Sequence, residues 1–294
     1  AVGEPTQGVT NRIRRGETRQ GTMDRRIKRA VGAVAVIVDL VLHFTGCVVR
    51  VVDLDDHGIH EGDAEASSMY TRTVPVSGQE VLELLGGNGE VRVVGIPGLP
   101  EIQVDAELRV KSDTRRDAQG ALSWLHVAVD ISGHGVQIQT VQPEHTEGRT
   151  YIVDYEITVP SHLKVSIANG NGSVRVEEIQ AAVENGNGNG EVGLAQIDGN
   201  TWVALGNGGL SSTVHLPSGG QIDYTVGNGT INLSVQKEVS ATFDAEVGNG
   251  TISVLGLNLR DVVSTPRRIH GLLGTGEGVI GLAVGNGTIE AQGW

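Results

Sequence analysis

The chain has 294 residues, enough for one large domain or two ordinary domains with a buried core. Only 3% of the residues are aromatic while 43 are glycine, so a core must be thin and built from small aliphatic side chains, which favours a repetitive β architecture. A formal net charge of -13 argues against a nucleic-acid partner, because phosphate binding needs a dense basic face.

Residues 23–46 have the layout of a secretory signal peptide. The first methionine is Met23, and several basic residues follow it before an apolar run that ends at Cys47. A basic segment, an apolar segment and small residues before a cleavage point are the parts of such a signal. We therefore expect residues 1–22 to lie upstream of the true start, and residues 23–46 to be absent from the mature protein.

The end of this segment, "FTGC" at residues 44–47, resembles a bacterial lipoprotein signal, although Asp39 and His43 interrupt the apolar run. The resemblance implies that Cys47 becomes the lipidated first residue of the mature protein and anchors it to a membrane. A membrane-anchoring helix and a buried core helix are the alternatives, but the run is short for a membrane span. Because Cys47 is the single cysteine, an internal disulfide framework is excluded.

Residues 47–70 combine this cysteine with an acidic stretch of little periodicity, which suits a solvated tether between a lipid anchor and a folded domain. Carboxylate and imidazole side chains crowd the stretch from Asp53 to Asp63. Their spacing matches neither a helix-loop-helix calcium loop nor a zinc site. We therefore predict no metal site here, with weak cation binding as the alternative.

From about residue 71 the pattern changes to short strands. Segments such as "EIQVDAELRV" and "YIVDYEITVP" alternate apolar and polar residues, which is the period of a half-buried strand. Helical periodicity is nearly absent, apart from a weak signal around residues 111–122. The sequence predicts an all-β domain over residues 71–294, with a strand-rich N-terminal portion.

A Gly-Asn-Gly step recurs through this domain, and its regular copies are 18 to 21 residues apart. A repeat of this length indicates one structural unit per copy. The predicted corner residues are Asn88, Asn171, Asn189, Asn207, Asn228, Asn249 and Asn286.

The apolar residues lie at fixed sequence offsets from the asparagine of each corner. In one copy Ile222, Tyr224 and Val226 precede the asparagine at even steps, while Ile231 and Leu233 follow it three and five residues later. Side chains of a strand alternate between faces, so these positions are expected to be buried together.

The Asn-Gly step recurs only at alternate turns. An antiparallel meander would need it at every turn, so we predict a β-solenoid whose parallel rungs align the asparagines along one edge. Glycine and asparagine both tolerate positive φ, and stacked amides can hydrogen-bond to one another. Residues 100–160 form either regular rungs or a flanking sheet.

The order of these motifs carries a resemblance. "GGNGEVRVVGI", "YEITVP", "NGNGSVRV", "GNGTINL", "GNGTISV" and a final "GTGEGVIGLAVGNGTIEA" resemble the bacterial putative-adhesin family over roughly residues 75–294. The resemblance implies an all-β, secreted and often lipid-anchored protein. It carries no family active site to transfer.

No motif points to catalysis or to a cofactor. Gly276–Gly281 matches G-x-G-x-x-G, but a strand rather than a helix follows it, and the corners lack the carboxylates of calcium-binding repeats. H-E-x-x-H and G-x-S-x-G motifs are absent from the sequence. We expect a protein that is not an enzyme, with a polysaccharide-active enzyme as the least favoured alternative.

Four residues are candidates for contact with a partner. Trp202 lies at an outward position, and Arg267 and Arg268 belong to an insertion of about 16 residues before the last corner. Trp294 ends a last rung that runs directly into the C-terminus, where it either plugs the end or leaves it open for strand addition. The expected partners are a cell-surface glycan or protein, or copies of the chain joined into a filament.

Overall fold

The computed structural model describes residues 64–294. The predicted signal peptide, Cys47 and the first part of the predicted tether lie outside the described residues.

The described chain is all-β, as predicted, with its strands joined in one 17-stranded sheet. A short helix and one 3-10 turn overlap the region of the weak helical signal. The elements are β1 (Ala64–Pro75), β2 (Val81–Leu85), β3 (Val91–Ile96), β4 (Glu101–Ser112), α1 (Arg115–Ala121), the 3-10 turn (Leu122–Trp124), β5 (His126–Ile131), β6 (Gly135–Val141), β7 (Thr150–Pro160), β8 (Lys164–Asn171), β9 (Val174–Glu177), β10 (Val183–Asn189), β11 (Val192–Asp198), β12 (Thr201–His215), β13 (Gln221–Val235), β14 (Ala241–Leu255), β15 (Arg260–Thr265), β16 (Arg268–Leu273) and β17 (Gly278–Gly293).

The N-terminal boundary of the folded region differs from the prediction. We expected a solvated tether through residue 70, but β1 begins at Ala64 and pairs antiparallel with β4 along its whole length. Within β1 only Ala66 and Val74 are buried, so the strand has almost no apolar alternation to reveal it. Backbone pairing with β4, rather than side-chain burial, stabilises it.

The Asn-Gly segments stack in parallel and in register. On one face the segments before the corners follow the order β6, β2, β8, β10 and then the first halves of β12, β13, β17 and β14. On the other face the segments after the corners follow the order β7, β3, β9, β11 and then the second halves of the same four long strands. The predicted inward residues, such as Tyr224 and Ile231, form the buried core between the two faces.

The region of residues 100–160 forms flanking antiparallel strands rather than regular repeats. On one face β1, β4 and β7 pair antiparallel, and β7 joins the stack parallel to β3. On the other face β5 pairs antiparallel with β6, which joins the stack parallel to β2. These strands cover the end of the stack at Asn88.

The last strand of the chain is not the last strand of the stack. β17 lies between β13 and β14 and pairs in parallel with both, so the spatial order of the final corners is Asn228, Asn286, Asn249. The C-terminal rung is therefore not an end of the stack, so neither alternative predicted for it, a Trp294 plug or an open end for strand addition, applies. The insertion before Asn286 folds as the β15–β16 hairpin, in which β16 pairs antiparallel with the first half of β14. The hairpin returns the chain so that β17 enters next to β13.

Engineered disulfides test this strand order. Thr288 is paired with both Thr230 and Thr251, which are themselves separated by β17. Adjacent strands lie about 4.8 Å apart, and a disulfide bridges Cα atoms separated by less than about 7 Å. In a Cys47→Ser background, the pairs T230C/T288C and T251C/T288C are expected to oxidise to disulfides, whereas T230C/T251C is not. Non-reducing mass mapping reads the outcome, and a T230C/T251C disulfide would show that β14 stacks directly on β13.

Candidate functional site

The structure brings the seven predicted corner asparagines into one line. Each Nδ2 group donates to the Oδ1 atom of the preceding asparagine in the stack, at 2.7 to 2.8 Å. We call this line the amide ladder, with the order Asn88, Asn171, Asn189, Asn207, Asn228, Asn286 and Asn249. At its first end, Asn88 Nδ2 donates to the backbone oxygen of Tyr151 at 3.3 Å. The ladder therefore has a direction, with donors facing Asn88 and acceptors facing Asn249.

The glycines of each corner have two separate roles. Gly229 has φ of +146°, and a Cβ atom there would lie 1.7 Å from the backbone oxygen of Gly208 in the neighbouring strand. Gly227 precedes the same asparagine, and its Cβ would lie 2.5 Å from the oxygen of Gly206. Positive φ occurs at the glycine after each corner asparagine but not at the asparagine itself, so we were wrong to give the asparagine that role. The asparagine is selected by the amide ladder and the glycines by close stacking.

Two inward amides add a second set of bonds near the first corners. Asn169 Nδ2 donates to the oxygen of Gly89 at 3.2 Å, and Asn187 Nδ2 donates to the oxygen of Gly172 at 2.9 Å. Both side chains are buried at positions where the later strands carry Leu205 and other apolar residues. They satisfy backbone oxygens that the corner would otherwise leave unpaired.

The predicted contact residues have different environments. Trp202 is half-buried in β12 and is paired with Glu184 and Asp223 of the adjacent strands. Trp294 is 56% exposed, and its backbone bonds Val235 at the end of β13. Trp294 therefore lies beside the end of β13 and does not cover the end of the stack.

The two arginines of the β15–β16 hairpin also differ. Arg268 donates to both carboxylate oxygens of Asp244, at 2.8 and 2.7 Å, and this contact raises the pKa of Arg268. It therefore ties the hairpin to β14. Arg267 is exposed, while its backbone oxygen accepts a hydrogen bond from Val247.

The structure also contains a groove that sequence analysis missed. It has a volume of about 730 Å³ and crosses the outward face where β1, β4, β7, β3, β9 and β11 lie side by side. Arg175 and Gly193 occupy equivalent outward positions on neighbouring strands of its floor. Because Gly193 has no side chain, the Arg175 side chain lies over it, with its Nε atom 3.7 Å from the position that a Gly193 Cβ would take.

Charges of both signs line this groove. Arg92 lies between two carboxylates and contacts Glu156 at 3.3 Å and Glu177 at 2.9 Å, with Glu177 making the larger contribution to a raised Arg92 pKa. Arg175 is 66% exposed and reaches Glu177 at 3.6 Å. The groove thus offers guanidinium donors next to carboxylate acceptors, an arrangement that suits a polar ligand with many hydroxyl or amide groups.

A second polar cluster pins the helix rather than forming a site. Arg149 donates to both oxygens of Asp117 on α1, at 2.7 and 2.9 Å, and its guanidinium carbon lies 5.4 Å from the centre of the Trp124 ring. The hydrogen bond from Arg149, followed by that from Ser112, lowers the pKa of Asp117 to about 2. These contacts hold α1 and the 3-10 turn against the β4–β7 layer.

Within residues 64–294, no group of three or more histidine, cysteine, aspartate or glutamate side chains is placed to hold a metal ion. In the same range neither helical segment has the length and apolar character needed to cross a bilayer.

Comparisons with known proteins give structural likenesses only. No family model matches the sequence, and no curated protein matches it. A putative cell adhesion protein from Clostridium sporogenes has a TM-score of 0.44 and 13% identity, covering 78% of this chain and 100% of its own. A putative adhesin from Bacteroides fragilis has a TM-score of 0.33 and 10% identity, covering 76% of this chain and 97% of its own. A putative adhesin from Parabacteroides merdae has a TM-score of 0.28 and 14% identity, covering 76% of this chain and 95% of its own. At these scores the likeness carries no argument about function.

Proposed function

We propose that this chain is a non-catalytic bacterial surface protein that binds a cell-surface glycan or protein. Its Asn-Gly strands form a β-solenoid, and Cys47 carries a lipid that holds the domain at the outside of the cell envelope. The observation that carries the proposal is the groove, because a rigid parallel stack presents guanidinium and carboxylate groups there at fixed spacings. Adhesion and envelope structure both follow from such a binding face.

The stack explains why the groove is suited to binding. Arg92 and Arg175 are paired across β3 and β9, so adjacent strands fix their separation. Carboxylates outnumber these two arginines in the lining, and Arg175 remains 66% exposed above Gly193. A ligand with alternating donors and acceptors can exchange its water contacts for these groups at little cost in side-chain ordering.

Binding without turnover is the test. Full-length protein is screened against immobilised bacterial and host surface glycans and envelope proteins, and Arg175→Ala is expected to weaken binding to any ligand found by about tenfold or more, because a charge-assisted hydrogen bond is lost. Arg116→Ala, an exposed arginine on α1, is the matched control and is expected to bind normally. Equal affinity of the Arg175 variant and the unmodified chain would contradict the groove assignment. Release of products from a polysaccharide panel would favour the enzyme alternative instead.

A self-assembling fibre subunit is the second candidate function. The observation that favours it is an unpaired strand segment at the Asn249 end of the stack. Any such contact would involve β14 rather than the C-terminal strand, because β17 is enclosed on both sides. At the other end, β6 and β7 cover the strands flanking Asn88, so two copies cannot join corner to corner.

A further inference from the structure

The second half of β14 has an unpaired edge. β17 pairs with β14 through Leu255 on one side, whereas β16 covers only Ala241–Glu246 on the other. Within the described residues, no strand pairs with the outer side of β14 beyond its corner. Each of the other six Asn-Gly corners has a neighbouring corner segment on the side facing Asn249.

The direction of the backbone N–H groups at this edge can be inferred from equivalent strands nearer the Asn88 end of the stack. Gly172 donates its N–H to the oxygen of Asn189 at 2.9 Å, and Val174 donates to the oxygen of Glu191 at 2.8 Å, both in the next segment of the stack. Gly250 and Ile252 hold the same positions after their own corner. Their N–H groups therefore point to the place of a next parallel strand.

The amide ladder ends at the same edge with an acceptor. Every other asparagine of the ladder offers its Oδ1 atom to the Nδ2 group of the following one. Asn249 donates to Asn286, and no donor among the described residues reaches the Asn249 Oδ1 atom. An asparagine at the corner of an added strand would supply that donor.

The apolar core is also incompletely covered at this edge. Ile252 and Val254 are partly exposed, although their equivalents Ile231 and Leu233 are 0% and 1% exposed. Leu255 is 62% exposed at the end of the same strand. A strand with an apolar residue three positions after its asparagine would cover Ile252 as β17 covers Ile231.

From these observations we propose that the free edge of β14 binds an extended, parallel segment of a partner protein that carries a Gly-Asn-Gly step followed by an apolar residue. The segment extends the sheet by one strand and the amide ladder by one asparagine. A second copy is not the natural occupant, because the edge that a next parallel strand must present is already paired in every Asn-Gly strand of this chain, and in β14 it is paired with β17. The proposal rests on the proposed β-solenoid stacking and names the kind of partner that its open end takes.

A short peptide with the sequence of residues 285–293, GNGTIEAQG, is the probe. Only the half of β14 after the corner is free, so this peptide includes the corner and the strand that follows it. It is labelled with a fluorophore and titrated with the full chain, and saturable binding is expected in fluorescence anisotropy. Absence of binding at millimolar peptide would overturn the proposal.

Backbone methylation of the peptide gives a matched control. At the position of the peptide threonine, the Ser173 oxygen accepts from Val91 N–H of β3, and the N–H and C=O groups of one strand residue point to the same side. The peptide threonine N–H is therefore expected to point towards β14, while the following isoleucine N–H points away, as that of Val174 does. Methylating the threonine nitrogen is expected to weaken binding about tenfold or more, and methylating the isoleucine nitrogen is expected to leave it unchanged. Replacing the peptide asparagine with alanine is also expected to weaken binding. Equal affinities for all four peptides would contradict pairing at the edge.

Hydrogen exchange followed by nuclear magnetic resonance locates the peptide and separates this inference from the solenoid proposal. Bound peptide is expected to slow exchange at the N–H groups of Gly250, Ile252 and Val254, with little change at Thr251 and Ser253. In the free chain, slow exchange of the Asn207 and Asn228 side-chain amides checks the stack itself. Slow side-chain amides without protection at the edge would defeat this inference alone, whereas fast side-chain amides would defeat the solenoid. Self-association that excess peptide dissociates would assign the edge to a second copy and overturn the partner named here.

Discussion

Replacing Gly229 with alanine is expected to lower the free energy of unfolding by about 4 kcal/mol or more, among the largest effects of any single substitution in this chain. The backbone at Gly229 has φ of +146°, and an added Cβ would lie 1.7 Å from the oxygen of Gly208. A side-chain rotation can relieve neither the backbone strain nor the steric clash, because the clashing atom belongs to the backbone of a strand fixed in the middle of the stack.

Alanine substitutions at two other glycines measure the backbone strain and the steric clash separately. Gly219 has φ of +70° with nothing within 4 Å of its Cβ position, so alanine there is expected to cost only about 1 kcal/mol of backbone strain. Gly227 has no positive φ, but its Cβ would lie 2.5 Å from the Gly206 oxygen, and alanine there is expected to cost about 2 to 3 kcal/mol from overpacking. Denaturant unfolding monitored by circular dichroism measures all three variants. A Gly229 variant no less stable than the Gly219 variant would show that the corners are not closely stacked.

The buried core could be predicted from the sequence, because the apolar residues lie at fixed offsets from each corner asparagine. Inward and outward residues alternate before and after each Asn-Gly step. The inward residues Ile222, Tyr224, Val226 and Ile231 are fully buried. Strand side chains have a period of two, so a fixed offset from the corner assigns each residue to a face. The alignment of the asparagines follows from the same offsets.

The order of the strands in space could not be read from the sequence. The segments around Asn228, Asn249 and Asn286 share the same Gly-Asn-Gly-Thr-Ile motif, so local patterning allows any of them to stack on either of the others. In the structure the β15–β16 hairpin pairs with β14 and returns the chain, so that β17 pairs with β13. Arg268, one of the predicted contact residues, ties the hairpin to Asp244.

The groove escaped prediction because its sides come from distant parts of the chain. Met69 and Glu107 reach it through the antiparallel pairing of β1 with β4, and β1 itself lacks an apolar pattern. One local signal was present in the sequence. Gly193 stands at the offset from its corner where two other copies carry Arg92 and Arg175.

Alkaline pH is expected to destabilise the fold through two buried phenols. Burial raises the pKa of Tyr224 to about 12, and the nearby Ser212 hydroxyl and the hydrogen bond with Thr201, which act in the opposite direction, offset only part of this effect. Burial likewise raises the pKa of Tyr155 to about 12. Because the folded state favours the neutral phenol, each group contributes stability that is fully present below the unfolded pKa of about 10 and is lost as the pH rises through about 12.

The expected loss of stability at alkaline pH is large enough for the contribution of one tyrosine to be measured by substitution. A difference of about two pKa units corresponds to roughly 3 kcal/mol for each tyrosine, a large fraction of the stability of an ordinary domain. Tyr224→Phe is expected to cost about 1 kcal/mol at neutral pH, because the 2.9 Å contact with Thr201 is lost, and to remove a large part of the further loss of stability between about pH 10 and 12. Denaturant unfolding across this pH range, with tyrosinate absorbance as the titration signal, measures both effects, and Tyr70→Phe on the half-buried Tyr70 is the control. An unchanged alkaline loss in the Tyr224 variant would mean that the phenol is hydrated in the folded chain, which would require an opening in the core between β12 and β13.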